Sequence, residues 1–146
     1  MKIYLDMCAI QRPIDTPNQI RIKMEAEAVL GLISLCVLGH MDLVSSDALL
    51  YESRQITLPI RFEHTNAVLA LAKEFIQVDE NDKKRASEFV TQGLKAVDAL
   101  HLVLAEKGKV DYFCTVDDGI LRGIKRVSNL SIKVLNPVEL VQEIEK

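Results

Sequence analysis

The sequence predicts an α/β fold: a central parallel sheet flanked by helices on both sides, a three-layer sandwich. Three observations predict it. Short apolar runs of strand length alternate along the chain with longer stretches of helical periodicity. Strands separated by helical crossovers pair in parallel through right-handed connections. Acidic residues stand at or just beyond the ends of predicted strands, and open parallel sheets bind their ligands outside the carboxyl ends of the strands.

Each element has a local reason. Residues 2–5 are short, apolar-rich and closed by Asp6, which reads as a buried strand. Pro13 and Pro17 mark residues 11–18 as a loop. Residues 19–38 follow as a helix, with Ile22, Ala26, Val29, Leu30 and Ile33 expected on its inner face and Gly39 suited to its end. Residues 41–45 read as a second strand, and Ser46 or Asp47 caps a helix over 48–55. Pro59 opens a helix reaching residue 72 or 73, and residues 75–78 form a brief strand. A charged helix spans 79–91, where Lys83, Lys84 and Arg85 follow Asp79, Glu80 and Asp82 in the pattern of a solvated face. Gly93 separates it from a helix over 95–107, which Gly108 ends. Residues 112–116 make the best strand of the second half; a short helix over 119–125 and a strand over 132–135 follow, and Pro137 opens the last helix.

Composition narrows the class. A chain of 146 residues, 49% hydrophobic and 27% charged, suits one globular domain spanning 1–146 with a sizeable core. The longest apolar stretch, residues 29–39, contains Ser34 and is too short to span a bilayer, so no membrane partner is expected. The opening MKIYLD run lacks the pattern of a signal peptide. The three cysteines, Cys8, Cys36 and Cys114, show no C-x-x-C spacing, which points to reduced thiols in a cytoplasm rather than to zinc. A net charge of −3 argues against a generic nucleic-acid coat.

Four acids, Asp6, Glu52, Asp98 and Asp117, draw attention by position. Asp6 ends the first strand; Asp117 and Asp118 directly follow the strand 112–116. If these strands are neighbours where strand order reverses, both acids reach one crevice. Glu52 lies in the helix after the second strand. Asp98 sits in the first turn of its helix among Ala96, Val97, Ala99 and Leu100, where burying a carboxylate is expensive unless it has a partner. Taken singly, each has an ordinary reading as a strand end, a solvated helix face or a helix cap. Together they suggest a pocket for a hard divalent cation, Mg²⁺ or Mn²⁺.

At these residues the chain resembles the PIN-domain family of nucleases over nearly its whole length. Three pieces carry the resemblance: I-Y-L-D at Ile3 to Asp6, V-D-A-L-H-L-V-L-A at Val97 to Ala105, and F-C-T-V-D-D at Phe113 to Asp118. The resemblance implies a PIN-like sandwich and an Mg²⁺- or Mn²⁺-dependent endoribonuclease of the VapC-like kind, with Asp6, Glu52, Asp98 and Asp117 lining the metal pocket. It further implies an RNA substrate, an antitoxin protein as partner and a homodimer. Thr115 matches the family's small polar residue ahead of the last acid, and Asp118 is a further supporting candidate. One departure stands out. Relatives often carry a hydroxyl or amide within two residues of the first acid, whereas this chain has Met7 and Cys8, neither a good ligand for a hard ion.

Arg12, Arg21, Arg54 and Arg122 are candidates for RNA contacts, with Lys23, Arg61, Lys125 and Arg126 behind them. Arg12 lies in the loop after Asp6. His101 follows Asp98 by three residues, and a packing role is expected for it ahead of proton transfer. Two other readings compete with the nuclease. One is the same fold with a crippled site, holding RNA or a protein. The other is a phospho-acceptor receiver domain, which calls for paired N-terminal acids that this sequence lacks.

Overall fold

A computed structural model describes all residues, 1–146. Five strands, β1 (Lys2–Leu5), β2 (Asp42–Ser46), β3 (Glu74–Ile76), β4 (Tyr112–Cys114) and β5 (Lys133–Leu135), form one sheet in the order β3-β2-β1-β4-β5. Every pairing is parallel. Eight helices flank it: α1 (Met7–Gln11), α2 (Ile20–Val37), α3 (Asp47–Ser53), α4 (Pro59–Leu69), α5 (Glu80–Thr91), α6 (Ala96–Lys107), α7 (Asp118–Gly123) and α8 (Pro137–Ile144). This is the three-layer α/β sandwich that the sequence predicts. Strand order reverses between β1 and β4, with Tyr4 beside Phe113 and Leu5 beside Cys114. The crevice at that reversal is where an open parallel sheet binds its ligand.

The core follows from the strands. Ile3, Tyr4, Leu5 and Phe113 are fully buried, as expected for central parallel strands covered on both faces. Tyr4 and Phe113 stack with ring centroids 5.2 Å apart. Helix α2 packs on α8, α5 on α6, and α6 lies against β2 and β3.

Two departures from the sequence expectation have physical causes. Residues 7–14 are not plain loop: α1 starts directly after Asp6, whose side chain caps it, and a 3₁₀ turn over Arg12–Ile14 takes Pro13 near its start. The buried face of α2 is also rotated. Glu25, Val29, Leu32 and Cys36 are buried, whereas Leu30 is 49% exposed. The inner face includes a carboxylate because cations reach it. Glu25 is 1% exposed and stands 3.0 Å from Arg12 Nη2 and 3.1 Å from Arg21 Nε.

Candidate functional site

Asp6 ends β1 and turns the chain into α1. Its side chain is buried and fully engaged: Oδ1 accepts from the Ala9 amide at 3.1 Å and from the Cys8 thiol at 2.8 Å, and Oδ2 accepts from the Thr115 hydroxyl at 2.7 Å. The Thr115 hydroxyl in turn accepts from the Asp117 amide at 3.0 Å, so one side chain ties the first acid to the backbone of the last. Burial pushes the Asp6 carboxyl up, and the hydrogen bonds from Cys8 and Thr115 oppose that rise. Cys8 thus supports Asp6 as a hydrogen-bond donor. Burial, reinforced by the charge on Asp6, holds the Cys8 thiol far above its ordinary range, so it keeps its proton and remains a donor.

Asp117 caps α7 through Oδ1, which accepts from Gly119 at 2.7 Å and Ile120 at 3.4 Å. Glycine suits the next turn because a Cβ at position 119 would lie 2.9 Å from that oxygen. Asp98, in the first turn of α6, lines a cleft of about 170 Å³ together with Asp117, Lys95, Arg122 and Arg126. Burial pushes the Asp98 carboxyl up to about 6, helped by the charges of Asp117, Asp6 and Glu52 and opposed by His101. Asp98 is therefore the point at which all four predicted acids feel one another.

Glu52, on α3, is held from behind by a side chain that the sequence suggests only as packing. His101 is 2% exposed, and both of its ring nitrogens are hydrogen-bonded. Nε2 meets Glu52 Oε1, and Nδ1 lies 2.6 Å from the Tyr4 hydroxyl. That hydroxyl also lies 2.6 Å from Ser46 Oγ. Tyr4 and Ser46 read from the sequence as strand and cap residues, and no sequence pattern singles them out for this role.

Topology gathers the four acids around the crevice, but no three Asp, Glu, His or Cys side chains stand close enough around one point to hold a metal ion. In this arrangement Asp6 is turned onto Cys8, Ala9 and Thr115, Asp117 onto its helix cap, and Glu52 onto His101. The donor chemistry nonetheless fits a hard divalent cation. The set is all carboxylate, and the burial and neighbouring negative charge that together raise Asp98 are what such an ion offsets. The side chains would have to close on the ion by changing rotamer.

Three further expectations change. Asp118 is turned away from the cleft onto Arg21, which donates to its two oxygens at 2.9 and 2.8 Å. Arg12 and Arg21 are engaged by acids of the chain itself: the largely buried Arg12 by Asp15 and Glu25, and Arg21, whose side chain is 47% exposed, by Glu25 and Asp118. Arg122, by contrast, lines the cleft, and Arg54 is exposed at the end of α3.

Comparison with known proteins supplies solved structures alone. No family model matches the sequence, and no curated protein matches it closely. The crystal structure of FitAcB from Neisseria gonorrhoeae is similar at a TM-score of 0.59 and 17% identity, covering 92% of this chain and 97% of that one. VapBC2 from Rickettsia felis, bound to a DNA fragment from their promoter, is similar at a TM-score of 0.58 and 14% identity, covering 93% and 98%. The likeness is one of fold. At these identities it carries no residue assignments, so the reading of the site rests on its geometry.

Proposed function

We propose that this chain is a metal-dependent endoribonuclease that hydrolyses RNA phosphodiester bonds and acts as the toxin of a toxin–antitoxin pair. The observation that carries the reading is the gathering of acids at the sheet's strand-order reversal: Asp98 and Asp117 line one cleft, Thr115 ties Asp6 to Asp117, and Glu52 is bonded to His101, one turn from Asp98. Asp6, Asp98 and Asp117 would hold Mg²⁺ or Mn²⁺, with Glu52 as a further ligand or as the group that orients water. Bound divalent cations supply a more acidic water and neutralise charge on the phosphate. Thr115 and Cys8 orient Asp6, and the Thr115 hydroxyl keeps the Asp117 turn in register with it. Arg122 and Arg126, which line the same cleft as Asp98 and Asp117, suit the phosphates of a strand passing Asp98. Exposed apolar side chains, Ile20 and Met24 on α2 and Ile60 and Phe62 on α4, suit an antitoxin or a second copy of the chain.

The test is cleavage of single-stranded RNA with Mg²⁺, Mn²⁺ or chelator. Cleavage should require the ion and be abolished in Asp6→Asn and Asp98→Asn, with the circular dichroism of the wild type retained. A second reading, a catalytically inactive module of the same fold that binds RNA or protein, is favoured by the carboxylates' engagement in internal bonds. RNA binding without cleavage in either ion would establish it instead.

A further inference from the structure

The buried chain of side chains behind Glu52 lies outside the acid set, yet it ends on one of its members. Ser46 closes β2 and caps α3, accepting from the Leu49 amide at 3.3 Å. Tyr4 stands in the middle of β1 with its ring fully buried against Phe113. His101 comes from α6, one turn after Asp98. Four elements thus deliver Ser46, Tyr4, His101 and Glu52 in an unbroken series of hydrogen bonds.

A buried hydroxyl or imidazole is costly to leave unpaired, so each member holds the next in place. The Tyr4 hydroxyl lies 2.6 Å from both Ser46 Oγ and His101 Nδ1, so it bridges the two side chains. An ionised carboxylate has no hydrogen to give, so the hydrogen between His101 and Glu52 sits on Nε2. Only one oxygen of Glu52 takes part, Oε1, which leaves Oε2 outside the series.

We propose that His101 and Tyr4 are positioning residues: anchored on Ser46, they fix the Glu52 carboxylate so that one oxygen is held from behind and the other faces Asp98 for RNA cleavage. The inference rests on the nuclease reading for its use, but not for its geometry. Glu52 sits on a short helix and is partly exposed, and without this support its side chain would sample several rotamers, each turning the carboxylate elsewhere. Two other members of the acid set have comparable supports, Thr115 for Asp6 and the α7 amides for Asp117.

Two measurements test it. The chain has three histidines, so the metal-free protein labelled with ¹⁵N in its imidazoles gives a simple spectrum, in which the His101→Asn variant assigns the resonances. The expected result is a slowly exchanging Nε2 hydrogen on His101 whose shift moves in both Glu52→Ala and Tyr4→Phe. A His101 ring that exchanges freely, with the same shifts in wild type and Glu52→Ala, overturns the proposal. Tyr4→Phe retains the ring stacked on Phe113 and removes only the hydroxyl. In cleavage assays it should lower kcat about tenfold, as loss of a supporting partner does, with KM within about twofold. In a Glu52→Ala background the same change should have no further effect. Equal effects in both backgrounds would mean that Tyr4 acts on stability alone and would sink the positioning role. A wild type that cuts no RNA removes the nuclease reading and this use of the clamp, while the imidazole spectrum still decides the clamp itself.

Discussion

At the scale of the residue, Asp98 carries the sharpest consequence. Its folded pKa of about 6 lies above the ordinary 3.8, because burial and the charges of Asp117, Asp6 and Glu52 all disfavour ionisation. Between those values the folded state holds a proton that the unfolded state has released. Stability from this group is therefore present below the unfolded value, declines as pH rises through the window, and is gone above the folded value. The side chain is partly exposed, so solvent screening reduces the effect to the order of 1 kcal/mol. In chelator, Asp98→Asn should be more stable than wild type by that amount at pH 7.5, and the difference should vanish near pH 3.5. Urea denaturation at the two pH values checks both halves. Wild type gaining stability from pH 4 to 7 relative to the variant would contradict the charge-crowded site.

At the scale of the element, α2 shows how an ion pair can redraw a helix's inner face. Apolar spacing alone favours a face through Ile22, Ala26, Val29, Leu30 and Ile33; the helix keeps Val29 inside, buries Glu25, Leu32 and Cys36 beside it, and leaves Leu30 exposed. Glu25 lies between Arg12, which also binds Asp15, and Arg21, which also holds Asp118 and the Val116 carbonyl. The series pins α2 to the turn after α1 and to the segment leading into α7, next to Asp117. Glu25→Ala would leave Arg12, whose side chain is 16% exposed, without its buried counter-ion. The expected loss is roughly 3–5 kcal/mol, the range for removing one partner of a buried pair. Chemical denaturation reads this directly, and a loss below ~1 kcal/mol would show that Arg12 is solvated in place of being held by Glu25.

At the scale of the whole molecule, the charges are sorted by position more than by number. A chain of net charge −3 offers little general attraction to RNA, so binding has to come from local cations. Arg12 and Arg21 are neutralised by acids of the chain, whereas Arg122 and Arg126 face the cleft. Arg122→Ala should therefore weaken single-stranded RNA binding and flatten the dependence of log K on log salt by about 0.7, the share of one phosphate contact. Arg12→Ala should instead lower stability. A reversal of those two phenotypes in salt titrations and melting curves would mean that the strand runs along the other edge of the crevice.

By itself the sequence determined the layer architecture, the parallel sheet and the position of Asp6, Glu52, Asp98 and Asp117 on their elements. Apolar periodicity, prolines, glycines and caps are local signals, and they were legible as such. Boundaries moved by one to three residues at most elements, and α1 was hidden because a single turn leaves little periodicity to read. Only the tertiary structure decided the partners. That Cys8 holds Asp6, that Arg21 withdraws Asp118, and that Tyr4 reaches Glu52 through His101 depend on side chains between 2 and 97 residues apart meeting in space. Hydrogen bonds and ion pairs of that kind leave no spacing in the chain, because they are set by which strands and helices become neighbours and not by the residues between them.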